Sequence, residues 1–204
     1  MLRNTFLNLL AKYSNDSSIN FSLWQEIEKR YTHTKRHYHT LEHLTSLFFQ
    51  LNSVKEKITH WETILFTLFY HDIIYNALKN NNEEKSAKLA IERMKQLLVP
   101  EEIINNCRAQ ILATKAHNLS KSSDTNYFID ADLSILGQEW EVYVQYYKNV
   151  RKEYTMYPNL IYNSGRKKAL QHFLTMENIY KTDFFYEKFE KNARTNIQRE
   201  IALL

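Results

Sequence analysis

The stretch WETILFTLFYHDIIY, residues 61–75, is apolar on nearly every face a helix could show until it meets His71 and Asp72. A surface helix carries an apolar stripe and a polar face, so a segment without the polar face belongs inside a core. The pattern predicts a central buried helix. Upstream, TLEHLTSLFFQL (40–51) sets Leu41, Leu44, Leu47, Phe48 and Leu51 on one stripe. FSLWQEIEKRY (21–31) does the same with Leu23, Ile27 and Tyr31, and Asn20 or Ser22 suits its N-cap.

Downstream, NALKNNNEEKSA (76–87) is a polar break whose Asn82 or a neighbour caps the next helix. That helix carries Ala87, Ala90, Ile91, Met94 and Leu97 and stops at Pro100. Pro100 then opens another helix through His117, a position proline tolerates well. A Ser/Asn-rich loop comes next, and YFIDADLSILG (127–137) predicts a helix closed by Gly137 as its C′ residue. Three further helical segments start at Glu139, Gly165 and Asp183. Usual helix and connection lengths suggest about eight to ten helices.

Only two Gly and two Pro in 204 residues disfavour sheets and tight turns, so the predicted class is all-α. No composition shift or internal repeat marks a boundary. The expectation is one compact helical bundle over residues 1–204. The 27 Lys+Arg against 23 Asp+Glu leave a net charge of +4, scattered along the chain, with no basic stripe for nucleic acid. The single Cys107 allows no internal disulfide and lies in an apolar-periodic stretch that buries it. Neither a signal-peptide pattern nor a membrane-length apolar run is present, so a cytoplasmic protein without a membrane partner is expected.

An Asp beside a His in an apolar stretch is costly to bury unless something pairs with it. A divalent cation removes that cost by binding neutral imidazole and carboxylate together. In YHTLEHL (38–44), His39 and His43 stand four residues apart, which on a helix puts both on one face. The order is not HExxH, and Glu42 lies off that face, so a zinc-protease arrangement fails. Asp130 and Asp132 are two apart and diverge by roughly 200° on a helix, so one of them reaches a common centre and the other caps or supports. Lys115 and His117 precede the polar loop. For each of these residues, an ordinary core or surface role is the competing explanation.

In order, RHYHTLEHL (36–44), FYHDIIYN (69–76), NEEKSA (82–87), ATKAH (113–117), DADLSILG (130–137), VRKEY (150–154) and ARTNIQREIALL (193–204) resemble a branch of the HD superfamily of metal-dependent phosphohydrolases, defined by H…HD…D. The resemblance runs from about residue 20 to the C-terminus, with the signature over about 36–135 and helices 139–204 packing on it. It implies a helical HD-type fold and metal ligands His43, His71, Asp72 and Asp132, with His39 as alternative to His43 and Asp130 to Asp132. His117 falls where two-metal members carry an extra histidine. The implied activity is hydrolysis of a small phosphorylated metabolite, such as a nucleotide, by metal-activated water.

Asp72 then serves as ligand and as orienter of the water, and Glu83 and Glu84 are candidate acids, although acidic residues are ordinary in a first helical turn. His39, Lys115, His117, Arg151 and Arg166 are candidate substrate contacts, arginine being the better fork for phosphate. Tyr38, Tyr75 and Tyr154 can stack on a base or ribose, or simply pack. The ligand types accommodate Mn, Fe, Co, Ni, Zn or Mg. Two other classes share the pattern: a non-catalytic nucleotide-binding or regulatory module, and a di-iron oxygenase using His117 with Glu83 or Glu84. The aromatic C-terminal helices fit a homodimer interface as well as core packing.

Overall fold

The computed structural model describes Met1–Leu204 and is all-helical. Ten α-helices run in order: α1 (Leu2–Leu10), α2 (Ser17–Tyr31), α3 (Leu41–Ser53), α4 (Trp61–Tyr70) and α5 (Asn82–Gln96), then α6 (Glu101–Ala113), α7 (Ser123–Leu133), α8 (Trp140–Glu153), α9 (Asn159–Thr175) and α10 (Asp183–Leu203). Short 3-10 turns occupy Lys55–Lys57 and Ser134–Gly137. No helix is long and apolar enough to cross a membrane. Contacts group the chain into two compact units, Met1–Ile129 and Asp130–Leu204. The division falls inside the continuous helix α7, which is why no linker composition announces it.

In the first unit α4 is the central element, with every residue from Thr63 to Tyr70 buried and α1, α3, α5 and α6 packed against it. Its all-round apolar sequence requires that surrounding. It ends earlier than its periodicity suggests. The His71 N–H closes the ladder on Thr67 O at 2.9 Å, and the Ile73 N–H then turns back to Tyr70 O at 3.3 Å. His71 and Asp72 therefore stand at and beyond the C-terminus of the buried helix, not within it. Thr40 caps α3, its hydroxyl accepting from the Glu42 N–H at 3.3 Å, so His39 precedes the helix and shares no helical face with His43.

Other boundaries shift for local reasons. Asp16, not Asn20 or Ser22, caps α2 by accepting from the Ser18 and Ile19 N–H groups. At the start of α5 the N-cap position is Asn81, while the Asn82 side chain turns back to the N–H and carbonyl of Asn76. The N-terminal α1 adds Phe6, Leu9 and Leu10 to the core, with the Phe6 ring 4.6 Å from Phe69. Cys107 is buried beside α4, which pushes its thiol up to about 12.

In the second unit, Arg166 forks onto Glu200 at 2.8 and 3.0 Å, and Tyr143 donates to the same carboxylate at 2.6 Å. Pro158 starts α9 well before Gly165, which leaves Gly165 in mid-helix. Gly137 has no positive φ and is not a left-handed C′ residue. It is required by proximity: a Cβ there would stand 2.5 Å from Phe189 Cβ and 2.7 Å from the Phe189 carbonyl oxygen. At Gly165 a Cβ would meet nothing within 4 Å.

The two glycines should respond oppositely to alanine in denaturant unfolding. Gly137→Ala forces the turn away from α10 and costs about 1–3 kcal/mol, in the range for overpacking. Gly165→Ala stabilises by about 0.5–1 kcal/mol through backbone entropy.

Candidate metal centre

The site is built around the C-terminal end of α4. His71 is fully buried, and its Nδ1–H donates to Leu68 O at 3.0 Å. That bond fixes the tautomer and leaves the Nε2 lone pair directed away from the helix. His43, in the first turn of α3 and 7 % exposed, brings its Nε2 to 3.2 Å from His71 Nε2. Asp72 Oδ2 lies 3.2 Å from His71 Nε2, 3.9 Å from His43 Nε2 and 3.8 Å from His39 Nε2. Burial pushes the Asp72 carboxyl up, but the imidazoles of His71, His39 and His43 outweigh it and hold the group well below the usual carboxylate range.

Asp132 reaches this point along α7. Asp124 anchors the start of that helix, accepting from the Thr59 and His60 N–H groups at 2.9 and 2.7 Å. The Phe128 ring then stands edge-on to His71 at 5.5 Å. Asp132 lies four residues past Phe128 and so shares its helical face. Ligand atoms of His43, His71 and Asp132 lie within 4.8 Å of one another, a group that can hold a metal ion. Two donors sharing one cation at about 2.1 Å stand about 3.0–3.4 Å apart in octahedral or tetrahedral geometry. The 3.2 Å separations of His71 from His43 and from Asp72 fall in that range, while the 3.9 Å between His43 and Asp72 lies outside it. Neutral imidazoles with carboxylate are the ligand types a divalent ion takes, and the carbonyl end of α4 adds partial negative charge.

Asp130 does something else. Its carboxylate accepts from the Lys181 N–H at 2.7 Å and from the Thr182 N–H and hydroxyl at 2.7 Å each, holding the turn before α10. Burial pushes it up to about 6 against the pull of those bonds.

His39 sits beside the ligand group, half-buried, stacked on Tyr75 at 4.1 Å and edge-on to Tyr38 at 4.9 Å. Tyr75 also carries Arg36 over its ring at 5.6 Å, so intramolecular packing engages it and a base-stacking role is not needed to explain it.

Several candidate substrate contacts are engaged elsewhere. Lys115 pairs with Glu84 at 2.5 Å and bonds Asn80 O at 2.7 Å, and that pairing holds the Glu84 carboxyl below its usual range. Glu83 lies in the first turn of α5. Helix α6 stops at Ala113, short of His117, which lies in the turn beyond it in a left-handed conformation, φ 51°, its N–H on Ala113 O at 3.0 Å. Arg151 donates to Tyr154 O, Tyr157 O and Asn159 Oδ1 and lies over Tyr162, so it caps α8. Tyr154 packs on Tyr157 and Tyr162. Arg166 is held by Glu200 and Tyr146. Neither arginine is available as a phosphate fork, because each already fills its geometry within the fold.

Two supporting residues escape sequence reasoning. Ser86 grips the turn after the HD pair, accepting from the Ile74 N–H at 3.1 Å and donating to Ile74 O at 3.2 Å. Arg36, only 9 % exposed, donates to His39 O at 3.1 Å and Ile73 O at 2.9 Å. Its presence in the RHYHTLEHL stretch is the available signal. No protein-family model, curated protein or solved structure matches the chain.

Asp130→Ala and Asp132→Ala should separate cleanly. Loss of Asp130 strands two backbone donors and costs roughly 2–4 kcal/mol in chemical unfolding, with metal uptake retained. Loss of Asp132 lowers metal content in elemental analysis with little change in stability of the metal-free protein.

Proposed function

We propose that this protein is a metal-dependent phosphohydrolase of the HD type, acting on a small phosphorylated compound. One observation carries the proposal: His43, His71 and Asp72 converge at 3.2–3.9 Å at the end of a buried helix, and ligand atoms of His43, His71 and Asp132 lie within 4.8 Å of one another. The donor set fits a divalent cation, with His43, His71, Asp72 and Asp132 holding it. Bound there, such a cation acidifies water and polarises a phosphoryl oxygen.

The chain's own groups supply the rest. His71 is held in its ligating tautomer by Leu68 O. Asp72, 18 % exposed, keeps its charge and accepts a hydrogen bond from the attacking water, orienting it toward phosphorus. His39 stands beside Asp72 with its ring fixed by Tyr38 and Tyr75, placed to donate to a phosphoryl oxygen. Of the acidic candidates for the leaving oxygen, Glu84 is occupied by Lys115, and Glu83 is the better choice.

The test is elemental analysis of the purified protein, repeated after reconstitution with Mn, Fe, Ni or Zn, then phosphate release from a panel of phosphomonoesters. The expected result is near-stoichiometric metal in wild type, lost in folded His71→Ala and Asp72→Ala. Metal-stimulated phosphate release should fall at least about 100-fold in Asp72→Ala. Full activity in that variant would sink the mechanism. Nucleotide bound tightly and returned unchanged would favour a regulatory binding module instead.

A further inference from the structure

Irregular chain borders His43 and carries Asp72. His43 lies less than one turn of α3 beyond the loop 36–40, and Asp72 lies in the turn after α4. Neither the loop nor the turn is held by a regular helical ladder. Both are gripped by one guanidinium: Arg36 Nη1 donates to His39 O at 3.1 Å, and Nη2 donates to Ile73 O at 2.9 Å. Ile73 is the residue after Asp72, and His39 lies one residue before the cap of the helix that carries His43. The guanidinium lies over Tyr31 at 4.7 Å and Tyr75 at 5.6 Å, and Tyr75 in turn stacks on His39.

We infer that Arg36 is a positioning residue that sets the separation between the His43 and Asp72 sides of the site, by bridging the two backbone segments that carry them. This rests on the metal-centre proposal above and adds to it the group that holds the ligands at binding distance. The role calls for arginine. A planar fork spans two carbonyls in fixed geometry while its faces pack on tyrosine, whereas a lysine offers one flexible point donor and no face. Groups that orient ligands from behind affect metal affinity without touching the metal.

Cobalt(II) is the probe, titrated into the metal-free chain with its visible absorption as readout. Wild type should bind one ion per chain. Arg36→Lys and Arg36→Met should keep their helical circular dichroism, bind about 10- to 100-fold more weakly and show altered visible bands, with the lysine variant nearer to wild type. The control is Arg93→Met, which removes a comparable fork in the same unit, Arg93 onto Glu26 at 2.7 and 3.1 Å. It should lower the thermal midpoint while keeping wild-type affinity and spectrum. Wild-type affinity and spectrum in both Arg36 variants overturns the inference and leaves the metal centre standing. Unfolding of both, or an equal affinity loss in Arg93→Met, also overturns it, because Arg36 then supports the fold in general. Failure of wild type to bind cobalt overturns the metal centre itself, and the role of Arg36 with it.

Discussion

A pair of buried imidazoles and the Asp72 carboxylate crowd one small space at the end of α4, His71 Nε2 standing 3.2 Å from both His43 and Asp72. That electrostatic constraint organises the neighbourhood of α4. His71 has no exposure, and the imidazoles around the partly exposed Asp72 hold its carboxyl below the usual carboxylate range. Hydrogen bonding among these groups satisfies some of their atoms. A divalent ion, as proposed, would satisfy the charge as well, and the helix terminus beneath them points its carbonyls the right way for a cation.

The rest of the first unit supports that point. Helix α4 provides the rigid base because it is packed on every side. The chain beyond Tyr70 is irregular, and irregular chain must be tied by side chains. Ser86 from α5 takes both backbone groups of Ile74, and Arg36 takes the carbonyl of Ile73. Consecutive residues of one turn are thus held from two directions. Asp124 performs the same service for α7, fixing the start of the helix whose far end carries Asp132.

Much of this is legible in the sequence, for identifiable reasons. The scarcity of Gly and Pro favours helices, and the apolar character of residues 63–70, broken only by Thr63 and Thr67, locates the central one. Helical geometry alone separates the directions of Asp130 and Asp132. The end of α4 is not legible, because apolar residues continue past Tyr70 and the stop is made by bonds that only the folded chain contains. His39 is misplaced for a related reason: four-residue spacing says nothing about whether both residues lie inside the helix, and Thr40 caps it between them. Arg151 and Arg166 resemble phosphate forks in sequence because their partners are backbone carbonyls or a glutamate 34 residues away. Arg36 gives no signal beyond its place in the RHYHTLEHL stretch, since a lone arginine carries no sign of the tyrosines it packs on.

The imidazole of His71 occupies Leu68 O, a carbonyl that one more helical turn would have given to the Asp72 N–H. One hydrogen bond therefore both engages the last turn of a helix and orients the imidazole. That bond serves the last turn of α4 whether or not an ion is held there. Persistence of the histidine among descendants would then report architecture, while the fate of Asp72 and Asp132 would report whether the proposed metal site survived.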